Sequence, residues 1–506
     1  MLTKSNADEI ASYLTDASNM QGGHTARVVF PASTAEVAEV LADATRTGTP
    51  VTISGAGTGV TGGRVPFGGV VLATERLARI GDIVHESGGG YATAEAGVVL
   101  QTFQRAVAAQ GLLYPPDPTE WSCYLGGTVA TNASGARTFK FGTTRDYIRR
   151  LKIVLPDGEV LDVRRGEWRA DDAGQVRLPL ASGRVLVAQL PRYQMPRTRK
   201  HAAGYFIAPG MDVLDLFIGS EGTLGVITEI EAALLPQPAN VLAGIVFFAS
   251  ETDLLAFVRA ARAQSLQTRQ AGQTRQAGEA GLDAQALEYF DAESLAFLRE
   301  HNARVPADVA GALFFEQQIS DDTEDELMTA WLSLLETHQA LLDDSWFATN
   351  ANDRQALRDF RHQLPVRVNE WIARHGQRKV STDMAVPDEA FPAMLRCYQD
   401  TLRASGLRYV IFGHIGDNHV HVNILPRDAA EAASARDLYR QFVERALATG
   451  GTVSAEHGIG KLKRPYLQMM YGDQALREMA ALKRAFDPAG ILGRGNMFAE
   501  EFLSES

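Results

Sequence analysis

Apolar residues along this chain switch between two periods, and the switches mark out its elements. Ser33 and Glu36 form an S-x-x-E capping box, after which Val37, Val40, Leu41 and Ala44 recur on one helical face. Gly48 stops that helix, and Val51 to Ile53 follows as a β-branched strand. Val70, Val71 and Leu72 make another strand, and a further apolar stretch runs from Val213 to Ile218. In the second half AGALFFEQQI, from Ala310 to Ile319, reads as a strand, and Leu327 to Leu342 and Phe391 to Leu402 read as helices. Val410 to Phe412 and Val420 to Ile424 read as paired strands, with Gly416, Asp417 and Asn418 as the hairpin turn between them. Asp428 to Ala448 supplies another helix, and the segment from Lys461 onward is helical. The first half therefore alternates helix and strand, whereas the second predicts an α+β unit. The turn-rich Leu235, Pro236, Gln237 and Pro238 mark the boundary between them.

Composition narrows the class. A chain of 506 residues is too long for one ordinary core, so two or three domains are expected. With 45% apolar and 22% charged residues it is of the soluble globular type. A net charge of −12 argues against nucleic acid as a main partner, although a local basic patch still suits an anionic substrate. Only Cys123 and Cys397 are present, which excludes a cysteine-ligated iron–sulfur cluster within the chain and gives no disulfide framework. The start MLTKSNADEIASYL has no apolar core of a signal segment, and no apolar run reaches about eighteen residues. A cytoplasmic protein is the default expectation, with peripheral contact to a membrane left open. TRQAGQTRQAGE, from Thr268 to Glu279, repeats a six-residue unit without an apolar face and reads as an insertion with no binding role.

The 46 glycines are concentrated where they carry chemistry. SGAGTGVTGG runs from Ser54 to Gly63, and Gly57, Gly59 and Gly62 match the G-x-G-x-x-G dinucleotide pattern. Such a fingerprint must open a helix, but Pro66, Gly68, Gly69 and then Val70 to Leu72 follow. The unit is instead strand, glycine loop, strand, whose bare amides can still cradle a pyrophosphate. PPDPTEWSCYLGGTVATNASG, from Pro115 to Gly135, is a second small-residue tract, and GSEGTLGVIT, from Gly219 to Thr228, a third. One such loop alone would be a structural turn; three together suit a large cofactor lying against backbone.

The other concentration is FGHIGDNHVHVNILP, from Phe412 to Pro426, followed by the adjacent pair Glu456 and His457. With Asp417 and Asn418 as a two-residue loop, His414 is expected directly across from His421, with Cβ atoms about 5 Å apart. Alternation puts His419, His421 and Asn423 on one face and Val420, Val422 and Ile424 on the other. Imidazoles converging beside a carboxylate suit zinc, manganese or a similar divalent ion. The plainer alternative is a polar hairpin face with solvated histidines.

The three glycine tracts, the histidine hairpin, SAEHGIG (Ser454 to Gly460) and AFDPAGIL (Ala485 to Leu492) together resemble the FAD-linked D-2-hydroxyacid dehydrogenase family. That family includes D-lactate dehydrogenases, D-2-hydroxyglutarate dehydrogenases and the flavin subunit of glycolate oxidase, within the vanillyl-alcohol oxidase-type flavoprotein superfamily. The resemblance covers nearly the whole chain in order. It implies an α+β fold with a two-subdomain FAD-binding domain over 1–236 and an α+β cap with an antiparallel sheet over 237–455. A C-terminal segment, 456–506, then returns to the FAD domain. FAD would lie on Ser54, Gly55, Ala56, Gly57, Thr58, Gly59, Gly62 and Gly63. Pro116, Asp117, Thr119, Gly126, Gly127, Thr128, Ala130, Thr131, Asn132, Ser134, Gly135, Glu221, Gly222, Gly225 and Ile227 would hold the rest of it. The first loop carries neither the His nor the Cys that tethers flavin in related enzymes, so the FAD is expected to be non-covalent.

The resemblance further assigns His414, His421 and Glu456 as ligands of a divalent metal, His457 as catalytic base, and Arg361, Lys379 and Asn423 as substrate contacts. On residues alone, Arg361 reads first as a solvated helix arginine, and the alignment of Lys379 is loose by a residue or two. The implied reaction takes the hydroxyl proton of a D-2-hydroxy acid to His457 and its hydride to flavin N5. D-lactate is the first choice of substrate, with D-2-hydroxyglutarate and glycolate behind it. The electron acceptor (quinone, cytochrome, flavoprotein or oxygen) is unread, and a homodimer is left open. A metal-dependent hydrolase is the rival from another class, since two histidines and a glutamate around zinc also activate water; it leaves three glycine tracts without a task. Two departures stand out. Family hairpins often read H-x-G-D-G-N-x-H, whereas this one adds His419, and the usual Asn-Pro after Gly490, Ile491 and Leu492 is replaced by Gly493 and Arg494.

Overall fold

The computed structural model describes residues 1–271 and 281–504, so the Thr268–Glu279 repeat lies, from residue 272, outside the described residues. The Ser33 cap forms as the sequence predicts, but the Glu36 half of the box reaches one residue further back. Ser33 Oγ accepts from Glu36 N at 3.2 Å, while the Glu36 carboxylate reaches back to Ala32 N at 2.7 Å. The helix Thr34–Thr47 then runs to Gly48, which closes it at φ +66°. Its buried Val37, Leu41 and Ala44 pack against Val29, Val51 and Leu72, each fully buried valine or leucine contributing about 1.5–3 kcal/mol.

Those partners belong to a four-stranded sheet in the order Leu2–Lys4, Arg27–Phe30, Val70–Ala73, Val51–Ser54. Val51–Ser54 and Val70–Ala73 are parallel neighbours joined by the first glycine loop with no helix between them. The C-terminal segment returns to this sheet. Val51 N donates to Ile491 O at 2.8 Å and Gly493 N to Val51 O at 3.0 Å. A second, six-stranded antiparallel sheet includes Gly89–Glu95, Val226–Pro236 and Ile148–Val154 as successive neighbours.

The second half is built on a seven-stranded antiparallel sheet, in the order Trp346–Ala348, Asn240–Phe248, Gly311–Ile319, Ala284–Asp291, Tyr409–Gly413, His421–Ile424, Val380–Ser381. The expected helices lie around it as Glu324–Thr337, Phe391–Ser405 and Ala429–Ala448. The last long helix, Arg464–Phe486, is broken at Gly472, where φ is +75°. Side chains of the two halves interlock. Arg137 Nε donates to Glu316 Oε2 at 2.8 Å, and Lys140 pairs with Asp283 at 2.8 Å. No helix among the described residues is long and apolar enough to cross a membrane.

Candidate active site

A cleft of about 360 Å³, within the range of small-molecule sites, runs between the glycine tracts and the histidine cluster. Its first wall is backbone. Gly55, Ala56, Gly57, Thr58, Gly59 and Gly63 line it. The loop is held from behind: Arg64 Nη1 donates to Gly55 O and Ser54 Oγ, both at 3.0 Å, and Ala17 N donates to Gly57 O at 3.0 Å. Gly57 sits at φ +85°, and a Cβ there would come within 2.3 Å of the Arg64 guanidinium.

The second tract is not wholly a loop. Gly126 and Gly127 stand in a short helix, Leu125–Ala130, because the apolar Leu125 and Val129, four apart, bury one face of it. A Cβ on Gly126 would stand 2.6 Å from Ala96 Cβ, whereas nothing lies within 4 Å of one on Gly127. Gly126 thus lets the helix touch the sheet, and Gly127 leaves room in the cleft. Thr119, Thr128, Ala130, Thr131 and Ser134 join the wall, as do Glu221, Gly222, Gly225 and Ile227. Glu221 occupies the left-handed region at φ +52°, and its carboxylate accepts from Ile459 N and Gly460 N, both at 2.7 Å. Its role is to tie the third tract to the segment after His457, with the two hydrogen bonds offsetting the backbone cost.

Six expected cofactor residues lie behind the wall. Ser54 Oγ is engaged by Arg64 and Gly62 packs on Met20. The Pro116 carbonyl accepts from Gln104, and Asp117 pairs with Arg137 at 3.5 Å. Asn132 Oδ1 accepts from Arg145 N, and Gly135 abuts the Asp117 carbonyl. These residues spend their polar groups or their space on holding the tracts in place rather than facing the cleft.

The histidine hairpin differs from the expected one. Phe412, not His414, lies across from His421. The strand ends at Gly413 with φ +121°, a 3₁₀ turn spans Ile415–Asp417, and Asn418 adopts φ +54°. The His414 carbonyl closes this wider turn by accepting from Asp417 N at 3.0 Å and His419 N at 3.2 Å. His419 therefore precedes the strand His421–Ile424 rather than alternating within it. Because the shift is by two residues, the faces are conserved, and His414 and His421 still meet with ring centroids 5.5 Å apart.

Donor atoms of His414, His419, His421 and Glu456 all lie within 4.8 Å of one another. His414 Nε2 is 3.2 Å from Glu456 Oε1, and His421 Nε2 is 3.7 Å from Glu456 Oε2. Glu456 Oε1 also accepts from Ser134 Oγ at 3.1 Å and from the fully buried Lys200 at 2.6 Å. Burial disfavours its charge, but His414 and Lys200 outweigh that and hold its pKa well below the usual value. The far side of His414 meets Glu288 at 2.5 Å. Burial opposes a charged imidazole there too, yet Glu288 and Glu456 raise His414 to about 9. The pocket between these carboxylates is thus arranged for positive charge. His419 and His421 are lowered by burial, His419 to about 3, which leaves lone pairs for a cation.

Asp383 anchors the opposite side. Its carboxylate accepts from Glu456 N at 3.2 Å, His457 N at 3.1 Å, Ser454 Oγ at 2.7 Å and Lys463 Nζ at 2.6 Å. His457 Nδ1 lies 3.3 Å from the same group, and its ring stacks 5.5 Å from His421. His421, Glu456 and His457 line the cleft that the glycine tracts line, so the two concentrations form one site.

The expected substrate residues divide. Asn423 is buried on the His421 face, with its Nδ2 lacking a partner. Arg361, on the helix Ala351–His375, pairs with Glu288 at 2.8 Å and so stands one residue behind His414. Pro365 carries no N–H for the Arg361 carbonyl, so the helix, which continues unbroken, lacks that one backbone hydrogen bond. Lys379 is exposed and does not line the cleft, because the chain leaves the helix at Gly376 (φ +63°) and enters the sheet only at Val380. Sequence reasoning passed over Lys200, Glu288, Asp383 and Asn496; Gly493, noted there only as a departure from the family pattern, lines the cleft together with Asn496.

Comparison with known proteins agrees with this geometry. Residues 25–164 match the FAD binding domain model, and residues 267–497 match FAD linked oxidases, C-terminal domain. A D-2-hydroxyglutarate dehydrogenase from Xanthomonas citri pv. viticola is 30% identical over 93% of this chain and 89% of its own length. The glycolate oxidase subunit GlcD of Bacillus subtilis is 28% identical over 98% and 94%. A D-lactate dehydrogenase of Anaerostipes hadrus is 28% identical over 93% and 89%. Among solved structures, an alkyldihydroxyacetonephosphate synthase superposes with a TM-score of 0.64 at 15% identity, covering 97% of this chain and 82% of its own, which shows a shared fold.

Proposed function

The chain belongs to the FAD-linked 2-hydroxy-acid dehydrogenase and oxidase family of the vanillyl-alcohol oxidase type, and on that premise we propose that it oxidises a D-2-hydroxy acid, D-lactate foremost, to the 2-keto acid. One observation carries this reading: His421, Glu456 and His457 open onto the cleft that the glycine tracts line. Residues 1–236 are proposed to hold the FAD non-covalently, with 237–455 as the cap and 456–506 completing both.

A divalent ion, zinc or manganese, fits the donor set of imidazoles and carboxylate, and the pocket between Glu288 and Glu456 favours positive charge. His414, His421 and Glu456 are proposed to hold it. When bound, FAD supplies the hydride acceptor, and the ion supplies a Lewis acid that lowers the hydroxyl pKa. The protein's own groups do the rest. Asp383 fixes His457 through Nδ1 and leaves Nε2, which has no protein partner among the described residues, to take the hydroxyl proton. Arg361 Nη1, the nitrogen not engaged by Glu288, is proposed to meet the substrate carboxylate. Asn423 Nδ2 offers a further donor. The reoxidant is a quinone, cytochrome, flavoprotein or oxygen.

The test is the visible spectrum of the purified protein during anaerobic addition of D-lactate. Bleaching of a flavin band is the expected result. A yellow protein that bleaches only with D-2-hydroxyglutarate or glycolate replaces the substrate, and a colourless protein that takes up no added FAD overturns the reading.

A further inference from the structure

His419 is the one imidazole of the cluster to which the reading above gives no task. It is fully buried, held by a backbone bridge to Ala385 and by its own N–H on the His414 carbonyl. Its Nε2 lies 3.2 Å from Asp383 Oδ1, and that carboxylate is fixed by two backbone amides, Ser454 and Lys463. Among the described residues neither ring nitrogen makes a hydrogen bond, and Nδ1 faces Glu456 Oε1 at 4.0 Å. With its proton on Nε2, the nitrogen beside the Asp383 carboxylate, a neutral imidazole presents a bare lone pair at Nδ1. Buried without a partner, that lone pair is costly.

The other two histidines repeat the arrangement. His414 Nδ1 is held by Glu288 at 2.5 Å and His421 Nδ1 by the Thr382 carbonyl at 3.0 Å, while each Nε2 faces Glu456. Three rings, each with an oxygen within 3.2 Å of the far nitrogen, converge with the near one. Metal-binding histidines are oriented in this manner.

We propose that His419 is a fourth protein ligand, through Nδ1, of the divalent ion assigned above to His414, His421 and Glu456, with Asp383 as its outer partner. This rests on the metal part of the proposed function. Four protein donors fill a tetrahedral shell, so a substrate oxygen needs a fifth position, which manganese provides readily and zinc only by expanding its shell.

The experiment strips the FAD-loaded protein with a chelator and reloads it with cobalt(II) as probe. In the wild type, exchangeable imidazole N–H protons shifted by cobalt should number three, because each far nitrogen is sheltered by an oxygen. His419→Asn and His419→Gln, which keep a donor for Asp383, should bind cobalt about tenfold or more weakly by chelator competition, with altered visible bands and unchanged FAD content. Two shifted N–H signals in the wild type overturn the proposal, as does unchanged affinity and spectrum in a variant. A wild type that binds no cobalt overturns it together with the metal reading, and leaves the FAD assignment standing.

Discussion

The two walls of the cleft are made of different material. One is bare chain: Gly55 to Gly59, Gly126, Gly127, Gly222 and Gly225 bring backbone to the surface and carry no charge of their own. The other is a packed set of ionisable side chains, in which the carboxyl pKa values of Glu288, Asp383 and Glu456 are held low against burial by Arg361, His457, Lys463, Lys200 and His414 beside them. The first wall works by what it lacks, the second by what it pairs. Adding atoms should therefore disable the first, and removing a group should disable the second.

The largest effect tests the second wall. Replacing His457 with Ala should leave FAD bound while slowing anaerobic flavin reduction by roughly two to four decades, measured by stopped-flow absorbance. Reduction at an undiminished rate would put the base elsewhere. The first wall is tested by addition. Gly126→Val drives a side chain into Ala96, where a Cβ already stands 2.6 Å from its neighbour, and should cost about 1–3 kcal/mol of stability in a denaturant titration. Gly127→Ala meets open space and should leave that titration unchanged while weakening FAD binding. If both variants lower stability alike, the distinction between the two glycines is wrong.

The same contrast governs what could be read from sequence. Glycine tracts, the capping box and the hairpin strands are local, so composition and spacing suffice to find them. Charge pairing is not local. Lys200 meets Glu456 across 256 positions and Glu288 meets His414 across 126, and each of these residues sits in a stretch with nothing unusual about it. The hairpin lies between the extremes. Its strands were legible, but a loop length cannot be fixed from Asp417 and Asn418 alone, so the register slid by two while the faces survived. The inward and outward choice within a turning tract was also hidden, which is why Asn132 and Gly135 lie behind the wall that Thr131 and Ser134 line.

A smaller effect sharpens the pairing rule. Asp291 ends the strand that carries Glu288, but burial without a cation raises its carboxyl from 3.8 to about 7, whereas Glu288, opposite Arg361 and His414, is lowered to about 2. Between 3.8 and about 7 the folded chain binds the Asp291 proton and the unfolded chain does not, so this group's contribution to stability falls as pH rises. The slope is at most about 1.4 kcal/mol per pH unit. Asp291→Asn keeps an N-cap for the helix Ala292–Arg299 and should flatten that part of the profile. An unchanged profile in thermal melts across that range would mean that Asp291 is solvated in the folded state.

The smallest effect concerns the only expected substrate residue that stands clear of both walls. Lys379 is exposed, lines no part of the cleft and has no charged partner among the described residues, so neither rule gives it work. An exposed lysine acts on a distant anion only through screened charge, which falls off over about 8 Å at physiological ionic strength. Lys379→Ala should therefore change KM for a 2-hydroxy acid by less than about twofold at 0.15 M salt, while Arg361→Ala, which also removes one of the two cations beside Glu288, should act on KM and on stability together. A Lys379→Ala variant that raises KM several-fold with kcat unchanged would bring this residue into the site, and would mean that the segment between Gly376 and Val380 folds inward when substrate binds.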